Sequence, residues 1–579
     1  MTYVASKKRK MIENLDRISE LPEPIILHIL SYLPLEDSAR TSILSKAWNN
    51  YYSLYPILHF DHNLFALKSL ISAKEGSREP SISQISDMFM DEVDCRLSKA
   101  TQLDSPIRKL ALTIAINDPK NFSRVDKWLE LVKQINVQEI CFFMQSAGNL
   151  WENLLDDGCV LYEFPISVLA SKGLRTVYIR GCKFADETLV GDPINKRGVS
   201  FCSLQRLCLS HVYIGDHVFE NLTNYCKGIE ILVLDYCTVL MDSMELSKFP
   251  KLKNALIEIE DGLIDRVGIE DTNLECFKCD VNIDTECHIS PAACASIREL
   301  TLVGCTINQP SLFADLAATF PLVEEADIFI HDTETFKANT NVLRKLKFTG
   351  DGSVPLKEVH IDCPSLTLLD CSTYGLMELY VDCPKLRVFR YQGSTVPKLL
   401  FFSSTSDLEK SSCELTVNYA YDTFWFNSLR AFLVCVMAVP TYVSLLVTSP
   451  LATFEPEQIE AIQASSGYNV HLMLSVTYEV EQNVAALVDA VLWTIRPTTL
   501  TFGYTSYDLI KYVCENLIKK SVEDIPDEQP TNPCWMHLLK DFEVESSLDI
   551  LDIKDNLAAL PEQCRTTNDV CFKFHWSYE

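Results

Sequence analysis

Cys276 and Cys279 form a Cys-x-x-Cys pair, followed by Cys287-His288. Four donors of this kind are what a tetrahedral zinc ion takes. No second Cys-x-x-Cys follows, however, and Cys279 falls on an apolar slot of a repeat set out below, so packing is the expected role. His59-Phe60-Asp61-His62 is the tightest His/Asp cluster, and it lies at an expected short strand, which favours a structural role. The acid pairs Asp156-Asp157 and Glu324-Glu325 could serve proton transfer but have no matched base. The chain has no Gly-x-x-x-x-Gly-Lys phosphate loop, no Gly-x-Gly-x-x-Gly, no Gly-x-Ser-x-Gly elbow and no His-Glu-x-x-His. These patterns point to a non-catalytic protein with no cofactor and no metal.

The 579 residues exceed one ordinary domain, so several domains or an elongated repeat must hold them. An apolar content of 47% is ample for a packed core. The net charge of −28 argues against a chain that wraps nucleic acid, which needs clustered cations, and favours basic partners. The 22 cysteines are scattered through apolar runs, and Met1–Lys10 does not resemble a secretory leader, so free thiols in a reducing compartment are expected. Ala431–Ser449 is uncharged over about the length of a bilayer. Pro440 interrupts it, and the pattern divides into a helix over Phe424–Val439 and a buried strand over Val443–Thr448. No membrane span is expected.

Near the amino terminus, Pro22 and Pro24 suit the first turn of a helix. Ile25, Ile26, Ile29, Leu30 and Leu33 then recur at helical spacing, and Pro34 ends the run. A second helix carries Ala39, Ile43 and Leu44, and Ser45 is placed to cap a third with Trp48 and Tyr52 on one side. Three short helices in about forty residues cannot bury this aliphatic surface alone. The stripe must pack on the rest of the chain or dock on a partner.

This segment resembles the F-box family in its plant F-box/leucine-rich-repeat form. The matching residues are Asp16, Ile18, Ser19, Leu21, Pro22, Ile25, Ile26, His28, Ile29, Leu30, Ser31 and Leu33, then Ala39, Arg40, Thr41, Ser42, Leu44, Ser45 and Trp48. The family's usual Lys-Arg-Trp is Lys46-Ala47-Trp48 here, with one cation missing. The resemblance covers only the F-box and implies docking to the Skp-type adaptor of a Skp–cullin–F-box ubiquitin ligase. The contacts it implies are Leu21, Pro22, Ile25, Ile26, Ile29, Leu30, Leu33 and Trp48. Before it, Lys7-Lys8-Arg9-Lys10 is either a nuclear address or a solvated basic tail, and the expected location is nucleus or cytoplasm.

Beyond a helical connector, with Met88–Leu97 its clearest amphipathic run, one phrase returns: apolar, two variable, apolar, one variable, apolar. It appears at Leu174-Val177-Ile179, Leu204-Leu207-Leu209, Ile229-Leu232-Leu234, Leu274-Phe277-Cys279, Ile297-Leu300-Leu302 and Leu343-Leu346-Phe348. First positions at 174, 204, 229, 252, 274, 297 and 323 have the spacing of leucine-rich repeats. Cys182, Cys237, Asn282 and Cys305 fall where such repeats turn the chain. Between Leu356 and Leu386 the phrase comes every ten residues, which leaves no room for an outer helix, so the convex side there is expected to be extended or looped. Helix-then-strand units return at Ala485–Ile495 with Thr498–Phe502, and at Asp508–Lys519 with Leu539–Val544.

The expected architecture is α/β: a small three-helix F-box followed by a curved leucine-rich-repeat solenoid. Its boundaries are a basic disordered tail to 15, the F-box over 16–57, the connector over 58–105, the solenoid over 106–505 and a closing segment over 506–579. Alternation along the strands points Tyr178, Asp235, Asp280, His360, Asp362, Tyr380 and Asp382, with Arg180 and Lys278, out of one concave face. Those residues are the expected contacts for a basic protein client. The function implied is substrate recognition for the ligase, with adaptor, cullin and client as partners and neither nucleic acid nor membrane. The alternative is a repeat scaffold or receptor that binds the adaptor without directing ubiquitination.

Overall fold

A computed structural model describes residues 18, 21–33, 35–53, 57–72, 81–102, 107–115, 119–135, 137–145, 161–171, 173–185, 203–269, 273–281, 285–289, 295–304, 306–307, 315–331, 333–350, 354–401, 407–418, 422–436, 439–449, 454–455, 469–477, 484–503, 507–522, 534–546, 557 and 570–577. Lys7–Lys10, Asn282, Cys305 and the acid pair Asp156-Asp157 lie outside these residues. The chain divides into two compact units, residues 1–268 and 269–579.

The first unit opens with three short helices, α1 (Glu23–Ser31), α2 (Leu35–Thr41) and α3 (Lys46–Ser53). A parallel ladder follows. Ile57–Asp61 pairs with Lys109–Ile114, and the ladder continues in chain order through Glu139–Met144, Thr176–Arg180, Arg206–Ser210, Ile231–Glu245 and Asn254–Ile269. Each strand buries the apolar residues of its phrase. Val177, Leu207 and Leu232 stand side by side in register and are fully buried. Parallel neighbours need a crossover, and helices such as Ile82–Gln102, Phe122–Gln134 and Asp216–Tyr225 supply it. Asp94 ties the first two of these helices together by accepting from Trp128 Nε1 at 2.5 Å and from Arg124.

The ladder therefore starts earlier than the repeats suggest. Ile57–Asp61 is its first strand, at the junction of the expected F-box and connector. Ile107-Leu110-Leu112 and Val137-Ile140-Phe142 repeat the same phrase on the next two strands, and all six residues are buried. His62 closes the first strand as a buried residue against Phe89 and 3.2 Å from Ser86 Oγ, a packing role.

In the second unit a parallel ladder runs through Cys276–Asp280, Glu299–Val303, Glu325–Ile330, Lys345–Gly350, Leu368–Thr373, Val388–Gly393, Lys410–Val417, Thr441–Val447, Val470–Val476 and Thr499–Phe502. Interleaved with it in sequence is a second parallel ladder, Thr335–Asn339, Glu358–Asp362, Glu378–Asp382 and Lys398–Phe401. The ten-residue spacing is thus half a coil. Successive phrases alternate between two sheets, and like strands recur about twenty residues apart. The inner sides face each other, with Phe336 against Phe348 at 5.3 Å and Phe389 against Phe401 at 5.9 Å.

After Thr423–Val436 the chain returns to helix-then-strand units. Ala431–Ser449 is split between that helix and the strand Thr441–Val447, and no described helix is long and apolar enough to cross a membrane. The last strands break the parallel pattern: Val570–Trp576 lies antiparallel to Thr499–Phe502, and Leu539–Ser546 antiparallel to Val570–Trp576. Two tryptophans lock this end, with Trp535 Nε1 donating to Asp489 at 2.8 Å and Trp576 Nε1 donating to the Pro497 carbonyl at 2.8 Å.

Most of the described cysteines are buried as packing and turn residues. Cys237 Sγ donates to the Leu209 carbonyl at 3.4 Å, and Cys363 Sγ to the Ala338 carbonyl at 3.4 Å, each reaching back to the preceding strand of its ladder. Burial raises the Cys141 and Cys363 thiols to about 11 and those of Cys237 and Cys383 to about 12. Cys95 is exposed. Since the thiolate is the nucleophile, iodoacetamide at about pH 8 is expected to alkylate Cys95 well before those four in the native chain. Peptide mass mapping over time checks the order.

Candidate docking surfaces

The F-box segment is built around its own small core. The Pro22 carbonyl accepts the Ile25 and Ile26 amides at 2.8 and 3.2 Å and starts α1. Ile26 and Leu30 turn inward onto Trp48, with Leu21, Leu27, Leu33, Tyr51 and Ile57 packed around them. Ser45 caps α3, its Oγ accepting the Trp48 amide at 3.2 Å. The buried Ser38 hydroxyl donates to the Leu30 carbonyl at 3.1 Å and ties α2 to the end of α1.

This core divides the apolar stripe. Ile26 and Leu30 are 0% exposed and Trp48 8%, so these three hold the helices together. On the other side of α1, Ile25, Ile29 and Tyr32 are exposed by 47%, 37% and 77%. Their i, i+4, i+7 spacing puts them in one line. Ile43 and Leu44, in the turn before α3, are also exposed, as is Ile18. Pro22 is exposed, and Leu21 and Leu33 are half-buried. Tyr32 has no place in the matching residues, although its distance from Ile25 is the signal that would have found it.

The five expected client contacts that lie in the second unit fall on two different ladders. Tyr178 and Asp235 stand on the ladder of the first unit. Asp280 is on the long ladder of the second unit, whereas His360, Asp362, Tyr380 and Asp382 are on the second ladder. The inner sides of those two ladders pack together, so their outer faces look in opposite directions. Alternation decides whether a residue points in or out, and it cannot say which sheet a strand joins.

On the second ladder His360 and Tyr380 are stacked at 4.3 Å with rings 5° from parallel. Glu358 faces Glu378 and Asp362 faces Asp382 across the same strands. Lys398 lies 3.9 Å from Glu378, and the Tyr380 hydroxyl donates to Glu378, which raises its pKa. Neither Asp362 nor Asp382 has a cationic partner among the described residues. On the long ladder the charges answer each other: Lys278 pairs with Glu299 at 3.3 Å, Lys347 with Asp327 at 3.0 Å and Arg390 with Asp370 at 3.6 Å. Further along the same face is an open depression of about 560 Å³ lined by Arg390, Lys410, Tyr442, Asn469, His471 and Thr499.

The zinc-like cluster is absorbed by packing. Cys279 and Cys287 are buried, and Cys276 Sγ donates to Glu299 at 3.5 Å. Among the described residues no group of three or more His, Cys, Asp or Glu is placed to hold a metal ion.

The F-box domain family matches residues 18–51, the stretch that forms the three helices. A second family, described as FBD-associated F-box protein At5g56370, LRR repeats, matches residues 125–275. Over these stretches the chain is similar to plant-type F-box/leucine-rich-repeat proteins. Relatives of this kind in Arabidopsis thaliana include F-box protein At3g59000, 36% identical over 220 residues, or 38% of this chain and 40% of that one. F-box/LRR-repeat protein At3g03360 is 26% identical over 310 residues, 52% of this chain and 55% of its own. F-box protein At3g03040 is 40% identical over 126 residues, 22% of this chain and 24% of its own. The chain spans about half the length of the curated relatives it matches, or less. An F-box and a leucine-rich-repeat region are therefore both present, on a mixed α/β chain rich in parallel strands.

Proposed function

We propose that this F-box protein is the substrate-recognition subunit of a Skp–cullin–F-box ubiquitin ligase, docking the adaptor through α1 and the α2–α3 turn and a protein client through the strand ladders. The observation that carries the reading is the line Ile25, Ile29 and Tyr32, left exposed by a helix whose opposite side already fills the module's core. Exposed aliphatics concentrated on one small module suit a partner that covers them. The chain's own part in ubiquitin transfer is proximity: it holds client lysines near a ubiquitin-charged enzyme and raises their effective concentration.

The test compares the intact chain with one lacking residues 1–57, each expressed with a blocked proteasome. The intact chain is expected to recover adaptor and cullin together with a client that carries ubiquitin. The shortened chain is expected to recover the client alone, and the client to be more abundant. Client free of ubiquitin on the intact chain, with adaptor present, would sink the ligase reading and leave a scaffold.

A further inference from the structure

The residue that ends a ladder strand takes a left-handed conformation in several repeats. After Thr176–Arg180 it is Gly181, φ 72°, and after Glu299–Val303 it is Gly304, φ 72°. Glycine is the residue that adopts this geometry without strain. In the two repeats that follow Gly181 the left-handed residue is His211, φ 51°, just after Arg206–Ser210, and Tyr236, φ 48°, the next in register, within the long strand Ile231–Glu245. These are two of the three non-glycine residues with positive φ among the described residues, and they sit on adjacent strands. Strain kept where a glycine would relieve it directs attention to what the side chains do.

The two rings are stacked, with centroids 5.6 Å apart and planes 30° from parallel. Tyr236 is 43% exposed. Polar contacts beside the rings orient one carboxylate. The Ser210 hydroxyl donates to Asp235 Oδ2 at 2.9 Å and lies 2.9 Å from His211 Nδ1, while the His211 amide donates to the Asp235 carbonyl at 2.9 Å. An aromatic face next to an oriented carboxylate is complementary to one side chain above others. A guanidinium stacks on the ring as a cation and turns its fork to the carboxylate. An ammonium offers the charge without the plane. Arg180 stands in the same row, on the far side of Ser210 from Asp235.

We propose that Tyr236, His211 and Asp235 form a docking point for an arginine side chain on an extended segment of a protein client. The proposal rests on the client-binding role stated above and gives it a residue chemistry; the net charge of −28 favours the same class of partner.

A displayed random peptide library selected on the full-length chain, with the adaptor co-expressed, tests it. Recovered peptides are expected to share an arginine, and a synthetic copy to bind roughly tenfold or more weakly to Tyr236→Gly and to Asp235→Asn. The asparagine keeps an oxygen for the Ser210 hydroxyl and removes the charge. Tyr236→Phe should retain binding, and replacing the peptide arginine by lysine should weaken it. His211→Gly and Tyr236→Gly are expected not to lower the melting temperature. Peptides without a shared arginine, an empty selection, or equal affinity for wild type and Asp235→Asn would overturn the proposal. Adaptor recovery is read in the same samples, and its loss would speak against the ligase reading alone.

Discussion

Changing Ile25, Ile29 and Tyr32 together to Asp is expected to abolish recovery of the adaptor while the F-box keeps its helices. Covering each such apolar side chain contributes roughly 1.5–3 kcal/mol. Losing three, and leaving carboxylates against an apolar partner, weakens binding on the order of a thousandfold or more. Ile29→Asp alone should already remove most of it. The contrast is with Ile26→Ala and Trp48→Ala, which also lose adaptor but by a different route. Those residues are buried against each other, so truncation leaves a cavity costing about 2–5 kcal/mol and unfolds so small a module. Limited proteolysis separates the two cases: the surface triple variant should resist cleavage within 21–53 as the wild type does, and the core variants should not. Full adaptor recovery by the triple variant would overturn the docking surface.

The helices themselves are legible. Pro22 and Pro24 start α1, Ser45 caps α3, and the expected helix ends fall close to the observed ones. What the pattern leaves open is which side of α1 faces inward. Ile25 and Ile26 are neighbours of the same type, as are Ile29 and Leu30, so a helix apolar on both sides has no polar face to fix its orientation. Trp48 and Ser38 decide it by packing on Ile26 and Leu30 and by bonding the Leu30 carbonyl. The repeat phrase is equally clear, and each inward residue it marks is buried. Its meaning at ten-residue spacing is not, because alternating apolar residues look the same whichever sheet takes the strand. The acidic residues expected on one face therefore fall on different ladders.

The two-ladder coil makes a length rule for the second unit. Leu368–Thr373 pairs with Val388–Gly393, and Glu378–Asp382 with Lys398–Phe401, both with a twenty-residue offset. Deleting residues 368–387 removes one complete coil. Val388–Gly393 can then pair with Lys345–Gly350, and Lys398–Phe401 with Glu358–Asp362, each strand still in its own ladder. The new neighbours are Leu346 with Phe389 and Phe348 with Tyr391, large residues where Leu369 and Cys371 stood. Refitting them costs on the order of 1–3 kcal/mol, so the shortened chain is expected to fold with a modestly lowered melting temperature. Deleting residues 368–377 removes half a coil. Every later strand up to Lys398–Phe401 then arrives at the wrong ladder, and Thr423–Val436 loses the strand on which it packs, where Cys435 Sγ donates to the Leu399 carbonyl at 3.6 Å. That chain is expected to be insoluble or to unfold without a cooperative transition, although it has lost half as many residues. Calorimetry on the two deletions decides the matter. A cooperative transition in the ten-residue deletion at or above that of the twenty-residue deletion would mean that ten residues, not twenty, are the structural repeat.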